Sequence, residues 1–326
     1  MISGFLKKYF GKFWSYLVKF YKEEFDWKYL LFLIVFLGAS IYWAYSPNAH
    51  GEPNFIRFRY TYLRRWGSFT FYVVQYAVPF LVAYLSYIFF KGKFKLLTDI
   101  RFWLLFAFAV SMFAFRGALQ WKVNDVVGKL VFETYPNFWK RLIFDIARML
   151  AVMIPITIYW LFDRKSSETP YGFTVKNFDL RPYFLILGVM LPFVIGFGLT
   201  DHFGGYYPRG LKNLDYYFGN GVKPPQGHLL LYELIYGLDF VSIEYFFRGF
   251  LIIAFIRFAG PGVILPMASF YVFIHFGKPM IETISSFFGG AILGVLSYYS
   301  RSIWGGIVVH MGIAWLMELG AYLGSF

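Results

Sequence analysis

The chain contains no cysteine among its 326 residues. That absence excludes disulfides, thiolate metal sites and cysteine nucleophiles together, and it leaves the redox compartment open. Charge is scarce as well. Asp, Glu, Lys and Arg make up 15% of the chain, against roughly 25% in a soluble domain. Two catalytic signatures are also missing. There is no HExxH helix, so a zinc reading has no local motif behind it. There is no GxSxG elbow to support a nucleophilic serine. No internal repeat and no low-complexity segment is visible.

What the chain does have is apolar surface. Hydrophobic residues make up 59% and aromatic residues 25%, and the mean hydropathy is +0.54. This is the composition of an all-α, polytopic membrane protein. The formal net charge is +13. In a soluble protein that would suggest nucleic acid. Here it fits basic flanks that hold spans against anionic lipid and set topology, and no basic segment carries a nucleic-acid-binding motif.

Taken in order, residues 1–28 mix Lys7, Lys8, Lys12, Lys19 and Lys22 with aromatics. They read as an interfacial amphipathic helix. A signal peptide fits less well, because charges break the apolar run and no small-residue cleavage site follows. Residues 29–162 hold the N-terminal spans, expected at 29–45, 66–90, 102–115 and 142–162. The third is short and needs completing from its flanks. Residues 46–65 read as a polar connection and 116–140 as interfacial. Asp145 and Arg148, three apart, are expected to pair with each other. Residues 163–181 form a hydrophilic linker and the best candidate boundary. Residues 182–326 hold the remaining helices, with a Gly/Pro-rich loop at 201–228. The total is eight to nine spans. His50, His202 and His228 fall in loops and read as solvated.

The stretch Leu229 to Phe258 is long and apolar enough to cross a bilayer, yet carries Glu233, Asp239, Glu244 and Arg248. Each costs roughly 2.5–3.5 kcal/mol at membrane depth, so such residues mark functional sites by default. Glu244 and Arg248 share a helix face. Glu233, eleven residues before Glu244, lies on nearly the same face at another level. Asp239 suggests an intramembrane aspartyl site, but no second aspartate stands in matching context.

Three elements concentrate this chemistry: Glu244-Tyr-Phe-Phe-Arg248-Gly249, Tyr271-Val-Phe-Ile-His275, and Trp304-Gly-Gly-Ile-Val-Val-His310. One carboxylate and two imidazoles from three spans make a minimal acid/base set: a carboxylate to take a proton from water, and imidazoles to position it or to stabilise an oxyanion. The same Glu244, His275 and His310 also form a possible zinc set, and spacing alone does not separate the two. Taken singly, each residue is more often structural; the case rests on their conjunction.

At these residues the segment from about 229 to 320 resembles the CAAX protease and bacteriocin-processing family of intramembrane proteases, also called the Abi family. That family carries EExxxR, then FxxxH, then HxxxN or HxxxD on neighbouring helices. Glu244 to Arg248 matches the end of the first motif, Tyr271 to His275 the second with Tyr for Phe, and Ser302 to His310 the approach to the third. Glu282 and the Gly289, Gly290, Gly294 run resemble the stretch before the last motif. Two positions depart. Ile243 stands where the family has its principal base, and Ala314 where it has an oxyanion donor. The resemblance implies a helical core at the C-terminal end and an endopeptidase of the bacterial plasma membrane. Its expected catalytic set is Glu244, His275 and His310, supported by Arg248, Glu233, Asp239 and Glu282. Its expected partners are membrane lipids and a peptide or lipid-modified protein. Two other functions are compatible with the same residues: a catalytically inactive scaffold that binds peptide or lipid, and a proton-coupled transporter with Glu244 and Arg248 in its relay.

Overall fold

The computed structural model describes residues 2–127, 134–164, 168–176, 179–198, 206–219, 221–222, 224–225 and 227–324. Its long helices, in chain order, are α1 (Ile2–Glu24), α2 (Trp27–Tyr45), α3 (Asn54–Trp66), α4 (Ser68–Lys91), α5 (Ile100–Val127), α6 (Pro136–Phe162) and α7 (Arg181–Gly198). They continue with α8 (His228–Glu244), which runs directly into a π-helix at Tyr245–Ala254, then α9 (Ile264–Phe273), α10 (Met280–Ser300) and α11 (Trp304–Leu323). Single turns at Lys95–Thr98, Arg209–Lys212, Leu214–Phe218 and Ile256–Ala259 join them. The described residues form no sheet; one isolated bridge joins Pro47 and Pro53.

Local chemistry sets the ends. The Asp26 carboxylate accepts from the backbone N–H of Lys28 and Tyr29 at 2.9 and 3.1 Å, starting α2 as a good N-cap does. Gly92 closes α4 at φ 64°, a left-handed cap. Pro136 opens α6 at a position where its missing N–H costs nothing.

Seven helical stretches among the described residues are long and apolar enough to cross a membrane, including Ile256–Phe273, and α7 supplies a shorter apolar helix. The His228–Ala254 element is excluded from that apolar set by its length in regular α-helix and by Glu233, Asp239, Glu244 and Arg248. Counted with those eight helices it gives nine candidate crossings among the described residues, and the chain is an integral, multi-pass membrane protein. The short third span, 102–115, is completed within α5, which extends well past the Arg116 expected to lie at the interface.

Residues 46–65 are not a plain connection. Most of them form α3, whose Phe55, Phe58 and Tyr62 face inward at helical spacing while the arginines face out or sideways. The expected linker at 163–181 is also packed where described. Tyr171 is fully buried, its hydroxyl donates to Asp163 at 2.8 Å, and Asp163 pairs with Arg257 at 2.6 Å. Burial raises the Tyr171 phenol, so it stays a donor.

The core is largely aromatic. Phe113 stacks on Phe246 with centroids 4.4 Å apart, and Phe247, Phe250, Phe255 and Phe270 surround them with no exposed surface. The π-helix sits in this aromatic packing. Gly249 allows it to approach the 163–181 segment, because a side-chain carbon there would collide with the Tyr171 carbonyl.

Candidate functional site

Glu244 is the last residue of α8 and is completely buried. Its Oε1 accepts from Arg248 Nη1 at 2.7 Å and from His310 Nδ1 at 2.8 Å. Its Oε2 has no hydrogen-bond partner. That oxygen occupies the space that a side chain at position 306 would fill, so Gly306 is the seat of the carboxylate. Gly305 beside it is the seat of the Tyr183 ring. The two glycines before the third-motif histidine therefore serve close approach, one from each neighbour.

His310 is held at both nitrogens. A carboxylate only accepts, so Nδ1 carries the proton toward Glu244 and Nε2 accepts from the Tyr271 hydroxyl at 3.1 Å. The tyrosine in place of phenylalanine at the second motif thus has a chemical consequence: phenylalanine has no hydroxyl to donate. Arg248 lies over the face of the same Tyr271 ring at 4.5 Å.

His275 sits in the turn just past α9. Its Nδ1 is 2.8 Å from the Tyr271 carbonyl, an acceptor, so Nδ1 carries the proton and Nε2 presents its lone pair. Glu282 Oε1 is 3.8 Å from that Nε2, too far for a hydrogen bond. Glu282 itself pairs with Lys278 at 2.6 Å and accepts from Tyr207 at 3.2 Å. Burial raises the Tyr207 phenol and keeps it a donor.

His275, His310, Tyr271 and Ile243 line one cavity of about 340 Å³. Glu244 does not line it. Consecutive helix residues point about 100° apart, so with Ile243 on the wall, Glu244 lies behind it. Ala314 is buried against Tyr232 and Tyr236 and brings no donor to the cavity.

Other expected residues fall elsewhere. Glu233 lies on the side of α8 that faces α11, where Trp315 Nε1 donates to its carbonyl at 3.2 Å and Glu318 is within electrostatic reach; it does not line the cavity. Asp239 does line it, but as the centre of a clamp. Arg116 and Arg148 each reach it at 2.7 Å and Ser242 at 3.1 Å. Both of its oxygens are therefore engaged by guanidiniums and the Ser242 hydroxyl. The expected Asp145–Arg148 pair is the weaker contact, at 3.9 Å; Asp145 pairs with Arg141 at 2.7 Å, and Arg148 reaches across to Asp239. His50 is exposed. His228 is not a solvated loop residue: it opens α8 among the rings of Tyr135, Phe138, Trp139 and Phe218. His202 lies outside the described residues.

The zinc reading does not fit this arrangement. Among the described residues no group of three or more His, Asp and Glu is arranged to hold a metal ion. The Glu244 Oε1 and both His310 nitrogens are already engaged with protein groups.

Arg116, Arg209 and Arg59, which also line the cavity, were not legible as site residues. Arg116 stands at the end of an apolar run and Arg59 and Arg209 in stretches that read as connections, where topology explains a basic residue equally well.

Comparison with known proteins gives one finding. Residues 225–316 match the family model described as Rce1-like, type II CAAX prenyl endopeptidase Rce1-like. No curated protein and no solved structure matches the chain. The matched residues contain Glu244, Arg248, His275 and His310, so over this C-terminal segment the chain is similar to CAAX-protease-type membrane proteins.

Proposed function

We propose that the protein is an intramembrane endopeptidase that cleaves a peptide or lipid-modified protein near the membrane interface, in a bacterial plasma membrane. The observation that carries this reading is that His275 and His310, from two separate motifs, meet at one cavity with Glu244 directly behind His310. The free lone pair of His275 Nε2 is placed to accept a proton from water as the water oxygen attacks a peptide carbonyl carbon. The same proton then passes to the leaving nitrogen as the C–N bond breaks. Glu244 acts through His310, fixing its ring and tautomer at the cavity wall, with both His310 nitrogens engaged by Glu244 and Tyr271. Arg248 balances the Glu244 charge.

Ile243 favours a second reading. It puts an apolar group on the cavity wall where the resemblance places the base, and Ala314 adds no oxyanion donor. A protein with this wall binds peptide or lipid without cutting it. Cleavage of a prenylated peptide by the detergent-purified chain separates the two. The endopeptidase reading expects turnover that Glu244→Gln and His275→Ala each reduce by at least tenfold. Turnover unchanged in both variants, or none in the parent protein, sinks it.

A further inference from the structure

The cavity is more basic than peptide hydrolysis requires. Arg59, Arg116, Arg141, Arg148, Arg209 and Lys278 line it, against two carboxylates, Asp145 and Asp239. Lys278 is matched from behind by Glu282 and Arg209 lies within electrostatic reach of Glu233, so the cations exceed the carboxylates by two. Like charges enclosed at low dielectric repel strongly, and an anion in the cavity relieves that repulsion.

Two of these cations form no ion pair among the described residues: Arg59 and Arg209. Arg209 is preset. The Glu318 carboxylate accepts from its backbone N–H at 2.8 Å, and its guanidinium lies over the rings of Tyr206 and Tyr236 at 5.3 and 5.5 Å. Arg116 and Arg148 have donors to spare. Both reach Asp239 through Nη2, and the Nε of each is buried without an acceptor.

A second hollow of about 350 Å³ adjoins the first, sharing Arg141, Phe144 and Arg209 with it. It adds Lys140, Asn137 and Asn213, and no carboxylate among the described residues lines it. Arg141 and Arg209 therefore stand between two hollows, each rich in donors. The inner one also has an aromatic wall of Tyr72, Tyr76, Phe113, Phe144 and Phe240.

We infer that these joined hollows bind a phosphate-bearing amphiphile, a monoester or diphosphate of an apolar chain. Its phosphate oxygens meet Arg209, Arg59, Arg141, Arg116 and Arg148, and its chain lies along the aromatic wall. Several guanidiniums converging on one volume suit a dianion with three terminal oxygens better than a single carboxylate. The inference stands whether or not the protein hydrolyses peptides.

The experiment is calorimetric titration of the full chain, purified in dodecyl maltoside, with decyl phosphate, decanoate, inorganic pyrophosphate and decyltrimethylammonium. Saturable binding of decyl phosphate is expected, at least tenfold tighter than decanoate or pyrophosphate, with no binding of the cation. Arg209→Gln should weaken it at least tenfold. If that variant elutes as aggregate, Arg59→Gln, which breaks no ion pair, takes its place with the same expectation. Pyrophosphate binding as tightly as decyl phosphate overturns the amphiphile in favour of free phosphate. Decanoate binding as tightly overturns the phosphate. No saturable binding of any anion overturns the site.

Discussion

At position 243 the cavity wall is a branched alkyl group, and the nearest buried carboxylate, Glu244, faces away from the cavity. Replacing Ile243 by Glu puts a carboxylate on the wall beside His275 and His310. General-base catalysis contributes about 10²–10⁴-fold where the base is well placed. Ile243→Glu should therefore raise prenyl-peptide cleavage by about 10²-fold over the parent chain, read as product formed in detergent. No gain in a variant that still elutes as the native species assigns the cavity to binding. At this scale the motif residues were legible, because ionisable groups in an apolar chain stand out. The direction of each was not. That Glu244 engages His310 and leaves His275 to face Glu282 depends on which helix supplies each neighbour, and no spacing within one motif encodes that.

Elements α5, α6 and α8 are tied together by Asp239, whose partners Arg116 and Arg148 come from two other helices. Removing one member of a buried ion pair leaves its partner charged and uncompensated, at a cost of about 3–5 kcal/mol. Asp239→Asn leaves two guanidiniums in that position. A clear fall in the thermal unfolding midpoint in detergent is expected, while Glu52→Gln, on an exposed residue with no ion pair, should leave the midpoint in place. An unchanged midpoint in Asp239→Asn would show that the clamp carries no stability. The sequence pairs Arg148 locally, with Asp145, and offers Asp239 no partner, since only near neighbours stand out as candidates along a chain. The same limit hid α3. Its four arginines suggested a loop, whereas its apolar residues keep helical spacing between them. The π-helix was hidden for another reason: Phe246, Phe247 and Phe250 fit an α-helix equally well, and the wider turn is set by the packing around them.

For the molecule as a whole, nine candidate crossings taken in succession would put the N-terminal helix and the 163–181 segment on one side of the membrane and the end of α11 on the other. The lack of native cysteine makes this directly measurable. Single substitutions Gly11→Cys, Glu168→Cys and Gly324→Cys are all at exposed positions. A membrane-impermeant thiol reagent applied to sealed vesicles should label the first two together and exclude the third, or the reverse. Labelling of Gly324→Cys together with Gly11→Cys would require an even number of crossings. The helix count was legible in the alternation of apolar runs with charged connections. The cavity was not, because its basic wall is gathered from α3, α5, α6, the 206–219 segment and the turn after α9.

The seat that Gly306 offers to Glu244 reaches beyond stability. A side chain at 306 would displace the Glu244 carboxylate from its seat, and a shorter residue at 244 would leave a void beside the glycine and withdraw the carboxylate from Arg248 and His310. The two positions, on different helices, therefore share one allowance of volume and charge. Descendants of this chain are free to change either one only by changing both, so sequence drift at the third motif is governed from the first.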